Sequence, residues 1–468
     1  MSLRATILWW LAAAVLAAAA WTLLRRAEEA PRGPQALLAV GDLPVDRVDE
    51  IRIERGDEAE WVFRRDGAKW NQVEPFAHPV DAVSMRRHVV AAESLKASRG
   101  VSIEEVEDRG ALGLEPPLAK VAFAWSDAAG ERRDLAFDLG RPSVAGRAWI
   151  RRRDGSLVHA VDTGLHDRIV ERHPRDWRRR QLLDLPTGEV DRIELDFADA
   201  DGVEIVRDGQ RWRLTAPIET RLDREAVESW IAALARIEAA AFFEDEPADR
   251  ARYGLDAPAE TLVLERRSTT PDGGSAIERE SLRIGTLFGP GSTDRFAEVE
   301  GRPVVLLLAE GARATVLRPL TSLVDPTGTA VAASEIAAIE IRTAEETFRI
   351  RRELDGFVAE RLDAGGDVIE STPLDRARAE ALLEKLTAAR APEISVSSFP
   401  QEMLAGLAIL EGFGGRPLDA VRIARDPDTG RWALDNGDDV LRVFPPSFEP
   451  RLRGADYGLT PLPSRGTP

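Results

Sequence analysis

The sequence predicts an α+β chain: a single N-terminal transmembrane helix followed by three tandem repeated domains, each a largely antiparallel sheet with a packed helix. Three observations lead there. An uncharged N-terminal run is long enough to cross a bilayer. A block of strand, turn, strand and helix signals recurs at a constant spacing of 142 residues, then again in a worn form. A glycine corner, written "ALGLEPPLAKVAFAW" from Ala111 and "RYGLDAPAETLVLE" from Arg252, precedes a further strand in the first two copies.

The uncharged run extends from Ala5 to Leu24. At the helical rise it spans about 30 Å, the thickness of the hydrocarbon layer. Trp9 and Trp10 lie near one end and Trp21 near the other, where indoles favour the interface, and Arg25 and Arg26 stop the segment. A cleaved signal peptide is the rival reading, because Ala17–Ala20 offers small-residue cleavage sites. Orientation is finely balanced, since Arg4 and the terminal amine compete with Arg25 and Arg26.

The chain then divides into an anchor over 1–26, a stalk over 27–43, and copies over 44–185, 186–330 and 331–468. In the first copy Val48, Ile51 and Ile53 open a strand, Asp66-Gly67 makes a hairpin turn, Trp70 lies on the returning strand and Pro75 stops it. The second copy restates these as Val190, Ile193, Leu195, Asp208-Gly209, Trp212 and Pro217. Asp81 and Asp223 then cap helices. Met85, His88, Val89, Ala92 and Leu95 make one apolar stripe, and Val227, Trp230, Ile231, Leu234 and Ile237 the other.

The third copy is more degraded. Ile336, Ile339 and Ile341 restate the opening strand, Asp355-Gly356 the turn, and Asp375 the cap of a helix carrying Leu382, Leu383 and Leu386. Gly113 and Gly254, with Pro116 and Pro258 closing their exits, are read as corners between helix and strand, and Gly406 in "LAGLAIL" as their faded counterpart. Such internal duplication, at the size of a whole domain, is the main organisational signal.

With these residues in place, the chain resembles bacterial proteins carrying the domain of unknown function 4340 (DUF 4340). The carriers are the N-terminal apolar segment, the openings "VDEIRIER" and "VDRIELDF", the Trp–Pro–helix blocks, and "YGLDAP" with its twin "LGLEPP". The resemblance covers most of Leu43 to Val324; the last third departs from it, lacking the proline after "AGLA". It implies a single-pass inner-membrane protein with a periplasmic body, often encoded beside ABC-type transporter components of the gliding-motility auxiliary class. It supplies no catalytic residues.

Composition narrows the chemistry. The 468 residues are 44% hydrophobic and 31% charged, an ordinary globular mixture, with a net charge of −18 that disfavours nucleic acid. With no cysteine, thiolate nucleophiles and cysteine-ligated metals are excluded. His78 and His88 flank the first helix start near Asp81, a conceivable metal set, but His88 takes the stripe position of Trp230 and Leu382, so packing explains it. The Arg-rich stretch "LHDRIVERHPRDWRRRQLL" reads as a solvated linker, and "GTLFGPGS" as a loop. Trp70 and Trp212 could stack on a sugar, but a tryptophan recurring beside a hairpin more often packs in a core. HExxH, GxSxG and P-loop patterns are absent.

The expected function is therefore non-enzymatic, without cofactor or metal. The chain would be a periplasmic accessory protein held in the bacterial inner membrane by residues 5–24, contacting a membrane-protein partner such as an ABC-type transporter component. Two alternatives stand beside it: a receptor for an envelope glycan or small ligand, and a hydrolase using paired carboxylates.

Overall fold

The computed structural model describes residues 21, 34–143, 146–184, 186–269 and 274–462. The chain divides into two compact units, residues 1–180 and 181–468. The first holds one sheet of eleven strands, and the second holds two sheets of nine.

In the first unit the strands Val48–Arg55, Trp61–Asp66, Lys69–Glu74 and His78–Val80 run as an antiparallel meander from the middle of the sheet to one edge. Helix Ala82–Glu93 then carries the chain across to the far edge, where Lys96–Ala97 is laid down. A second meander, Ala119–Ser126, Arg132–Ser143, Arg147–Arg152 and Leu157–Asp162, fills the space between, beginning beside Val48–Arg55. The order is thus fourth, third, second, first, sixth, seventh, eighth, ninth, fifth. Both nine-stranded sheets of the second unit carry the same order.

The local signals explain the elements. Gly67 and Gly209 take φ of +59° and +61° in two-residue hairpin turns, which a Cβ would oppose. Asp81 accepts hydrogen bonds from the Val83 and Ser84 amides at 3.3 and 2.9 Å, Asp223 from Ala226 at 3.0 Å, and Asp375 from Ala377 at 3.0 Å. Each cap satisfies amides that the first helical turn leaves without partners. Met85, His88, Val89 and Ala92 are buried on the first helix and Val227, Trp230, Ile231 and Leu234 on the second. Burying each of the larger apolar side chains contributes about 1.5–3 kcal/mol.

The predicted α+β class with a helix-packed repeat is overturned, because the structure is mostly β-sheet. Each nine-stranded sheet of the second unit carries one helix of 11 or 12 residues across its inner face. Period-two alternation governs nearly everything after that helix, so the sheet dominates. The predicted transmembrane helix over residues 5–24 lies, apart from Trp21, outside the described residues; among the described residues no helix is long and apolar enough to cross a membrane. Trp9, Trp10, Arg25 and Arg26 lie outside the described residues, and Trp21 is helical and exposed.

Three finer expectations also change. The end of the stalk belongs to the first unit: Gln35–Ala36 pairs with Lys96–Ala97, and Leu38 and Leu43 are buried in its core. In the third copy the hairpin turn is Leu354-Asp355, and Gly356 already pairs with Glu353 as strand. Gly406 is no corner. It lies inside strand Leu404–Gly412, opposite Ile423, because the register that pairs Ile193 with Leu264 pairs Ile339 with Leu410 and so draws the segment into the sheet.

Candidate functional site

The corner glycines are structural. Gly113 and Gly254 have φ of +66° and +68°, and a Cβ on Gly254 would stand 2.8 Å from Thr286 Cγ2. In each corner the glycine amide bonds three residues back and the following leucine amide five back: Gly113 to Gly110 and Leu114 to Arg109, Gly254 to Ala251 and Leu255 to Arg250. Tyr253 and Leu255 then pack on Phe296, Val305 and Leu307, away from the main core. The same bonding occurs at Gly458, where φ is +90° and Leu459 bonds back to Gly454. "DYGLTP" was the legible signal for it, 204 residues after Gly254 and thus out of phase with the repeat. Pro116 follows a cis peptide bond, and so do Pro75 and Pro217 at equivalent places. Pro258 stands just before strand Glu260–Thr269.

The two proposed sugar platforms are closed. Trp70 and Trp212 are 6% and 1% exposed, each on the inner face of the third strand. His88 is buried with neither ring nitrogen hydrogen-bonded among the described residues, its ring 4.3 Å from that of Trp177. Burial, helped by the charges of Arg168 and Arg172, pushes its pKa down to about 3. Among the described residues no three acidic or histidine side chains gather as a metal set. A shallow cavity of about 840 Å³ in the first unit is lined by Ser98, Arg99, Arg152, Ser156 and His159 among others. Glu298 is buried, and that burial raises its pKa against the opposing charge of Arg250 2.5 Å away.

What the copies build repeatedly is a binding edge at the fourth strand. Fifteen residues after the ninth strand ends, the outgoing chain reaches the beginning of the helix: Trp177 in the first copy and Leu323 in the second, both buried. Asp81 donates its amide to the Trp177 carbonyl at 2.8 Å, and the Arg179 amide donates to Pro79 at 3.0 Å. In the second copy Asp223 donates to Leu323 at 2.8 Å and Asp325 to Arg221 at 3.2 Å. Val80 and Arg178, then Leu222 and Val324, face each other between those bonds. An extended segment is thus held antiparallel on the sheet edge by two main-chain bonds and one apolar anchor.

In the second unit this edge becomes a charged joint between the two sheets. Arg442, fully buried, donates to both Asp438 oxygens at 3.0 and 2.8 Å and to the Asp325 carbonyl at 3.0 Å. Arg221 donates to the Asp325 carboxylate at 2.9 Å, Thr220 to Asp438 at 2.6 Å, and Arg390 pairs with Asp223. Burial alone would raise the Asp438 pKa; the hydrogen bonds and charge of Arg442, with Thr220 and Arg221, outweigh it and hold the carboxyl below its ordinary range.

The third copy departs at this edge. Fifteen residues after Phe444 comes Leu459, also buried, but here the next residue, Thr460, donates its amide and hydroxyl to the Glu370 carboxylate and accepts from Arg361 at its carbonyl, and Pro461 follows with no amide to donate. Among the described residues no main-chain bond from outside the sheet reaches the Asp375 amide or the Pro373 carbonyl. The fourth strand is also longer, seven residues from Val368 to Leu374 against three in the other copies, with Val368 and Ile369 exposed.

A family model described as a domain of unknown function, DUF4340, matches twice, over residues 70–213 and 212–402. The matches begin at Trp70 and Trp212, equivalent positions on the third strand, so each runs through a fourth-strand edge and into the next copy. No curated protein matches the chain. Among solved structures, a DnaN sliding clamp (DNA polymerase III subunit beta) from Pseudomonas aeruginosa bound to griselimycin aligns with 87% of this chain and 93% of that chain. Its identity is 7% and its TM-score 0.12, a likeness too weak to carry a structural argument. Two successive matches spanning most of the sequence, in phase with its own repeat, are decisive: the chain belongs to the DUF4340 family.

Proposed function

We propose that this protein is a non-enzymatic interaction protein of the bacterial envelope, with its body in the periplasm and an accessory role beside an ABC-type transport system. The observation that carries the reading is the repeated fourth-strand edge, which in two copies grips an extended chain segment by backbone bonds and a buried anchor. Repetition of one such sheet along a chain gives several oriented contact surfaces and raises the effective concentration of the second contact after the first. The acidic chain, with net charge −18, suits a partner with a basic face.

The test is capture of the tagged chain from detergent extracts after cross-linking, with the subunits of a co-expressed transporter quantified. Stoichiometric recovery of one transporter subunit is expected; repeated capture of no membrane protein rejects the reading. A compartment reporter fused after Pro468 should be active only outside the cytoplasm. The cavity beside Ser98, Arg99 and His159 supports a second reading, binding of a small envelope ligand. Thermal shifts of the first unit with cell-wall sugars distinguish it, an unchanged midpoint removing it.

A further inference from the structure

We infer that the open edge of the third sheet, Val368–Leu374 with Asp375, is a docking strand for a short, extended, basic segment of a partner protein. The inference rests on the interaction reading above and gives it a site. The sister edges show what such an edge accepts. The first is occupied by Trp177, Arg178 and Arg179, a basic strand with an apolar anchor, and the second by Leu323, Val324 and Asp325. In the third copy the chain after Leu459 is tied through Thr460 to Glu370 and Arg361, and among the described residues it makes no main-chain bond to the Asp375 amide.

The geometry sets the length of the occupant. Main-chain groups of alternate residues face the same side of a strand, so Ser371 presents an amide and a carbonyl beside the Pro373 carbonyl and the Asp375 amide. Beyond Ser371 the register shifts between Glu370 and Val368, which bars a long regular strand. Five partner residues fit: the first accepts from Asp375, the third donates to Pro373, and the fifth exchanges both bonds with Ser371.

Charge selects the occupant. Asp363 and Asp367 are exposed at one end of the strand and give it acidic character; at the other, Asp375 is exposed beside Arg376 and Arg378, and the equivalent Asp223 is paired with an arginine, Arg390. A second copy of this chain, paired about Ser371, would set Asp375 near the other copy's Asp367, like charge against like. Residues 463–468, Pro-Ser-Arg-Gly-Thr-Pro, contain no large apolar side chain to serve as an anchor.

The probe is a fluorescent peptide of residues 175–181, Arg-Asp-Trp-Arg-Arg-Arg-Gln, added to the full chain. Saturable binding is expected, with slowed hydrogen exchange over residues 370–376. A peptide carrying Arg179→Pro loses the bond to Pro373 and should bind roughly tenfold more weakly. Asp375→Asn in the protein keeps the helix cap and should weaken binding about three- to fivefold. Equal binding of the proline peptide, protection elsewhere than 370–376, or the same protection produced by concentrating the protein alone would each overturn the assignment. If Ser371→Pro, tolerated at an edge, leaves capture of the transporter subunit intact, the docking strand is wrong while the interaction reading stands.

Discussion

Replacing His88 by leucine should stabilise the first unit, and by more as the pH falls. The imidazole is 1% exposed, packed edge-on against Trp177, with both ring nitrogens lacking hydrogen-bond partners among the described residues. A buried polar group left unbonded costs about 1–3 kcal/mol, so H88L should gain about that much at pH 8, where the ring is neutral in both states. Below the unfolded pKa of about 6.5 the unfolded chain takes up a proton that the native ring, with its pKa lowered to about 3, refuses. The folded-state value is depressed, so the stability present above pH 6.5 drains away as the pH falls towards 3. Between pH 8 and pH 5 that loss is about 2 kcal/mol, or about 4–8 °C in melting temperature for a unit of this size. Urea titrations of both proteins from pH 8 to 5, following the unfolding of the first unit, measure the difference directly. Carboxylate titrations cancel between the two proteins, leaving the His88 contribution. A gap that stays constant with pH, or a destabilised H88L, refutes the reading of His88 as a neutral core residue.

Three further outcomes follow from the same contacts. Arg442→Ala leaves Asp438 buried without its main partner and should cost the second unit about 3–5 kcal/mol by urea titration, whereas Arg442→Met with Asp438→Asn should recover most of the loss. Gly254→Val forces a β-branched residue to φ +68° against Thr286 and should cost about 2–4 kcal/mol in thermal melts, while Gly406→Ala, on extended backbone, should cost less than about 1 kcal/mol. Asp81→Ala removes acceptors from two helix amides and should lose about 1 kcal/mol, with Asp81→Asn retaining most of it, as read by denaturant midpoints.

Much of the fold was legible because its signals are local. Alternation marks strands, a 3.6-residue stripe marks the helix, an aspartate before the stripe marks its cap, and Asp-Gly marks a two-residue turn; each depends on residues within one or two turns of backbone. The 142-residue spacing of Trp70 and Trp212 is likewise a property of the string, and the family matches start at those tryptophans. The third copy misled because one glycine in "LAGLAIL" carries no sign of whether its backbone is extended or left-handed, and strand pairing settled that for Gly406.

Tertiary structure alone decided the rest. The amide of Asp81 meets the carbonyl of Trp177, and that of Asp223 meets Leu323, across separations that periodicity cannot encode, since a backbone donor looks the same whatever residue bears it. Leu38 and Leu43 read as stalk until Gln35–Ala36 was laid on the sheet edge. At the third edge the chain after Leu459 is tied instead through Thr460 to the side chains of Glu370 and Arg361, partners 90 and 99 residues away that no local pattern in the string announces.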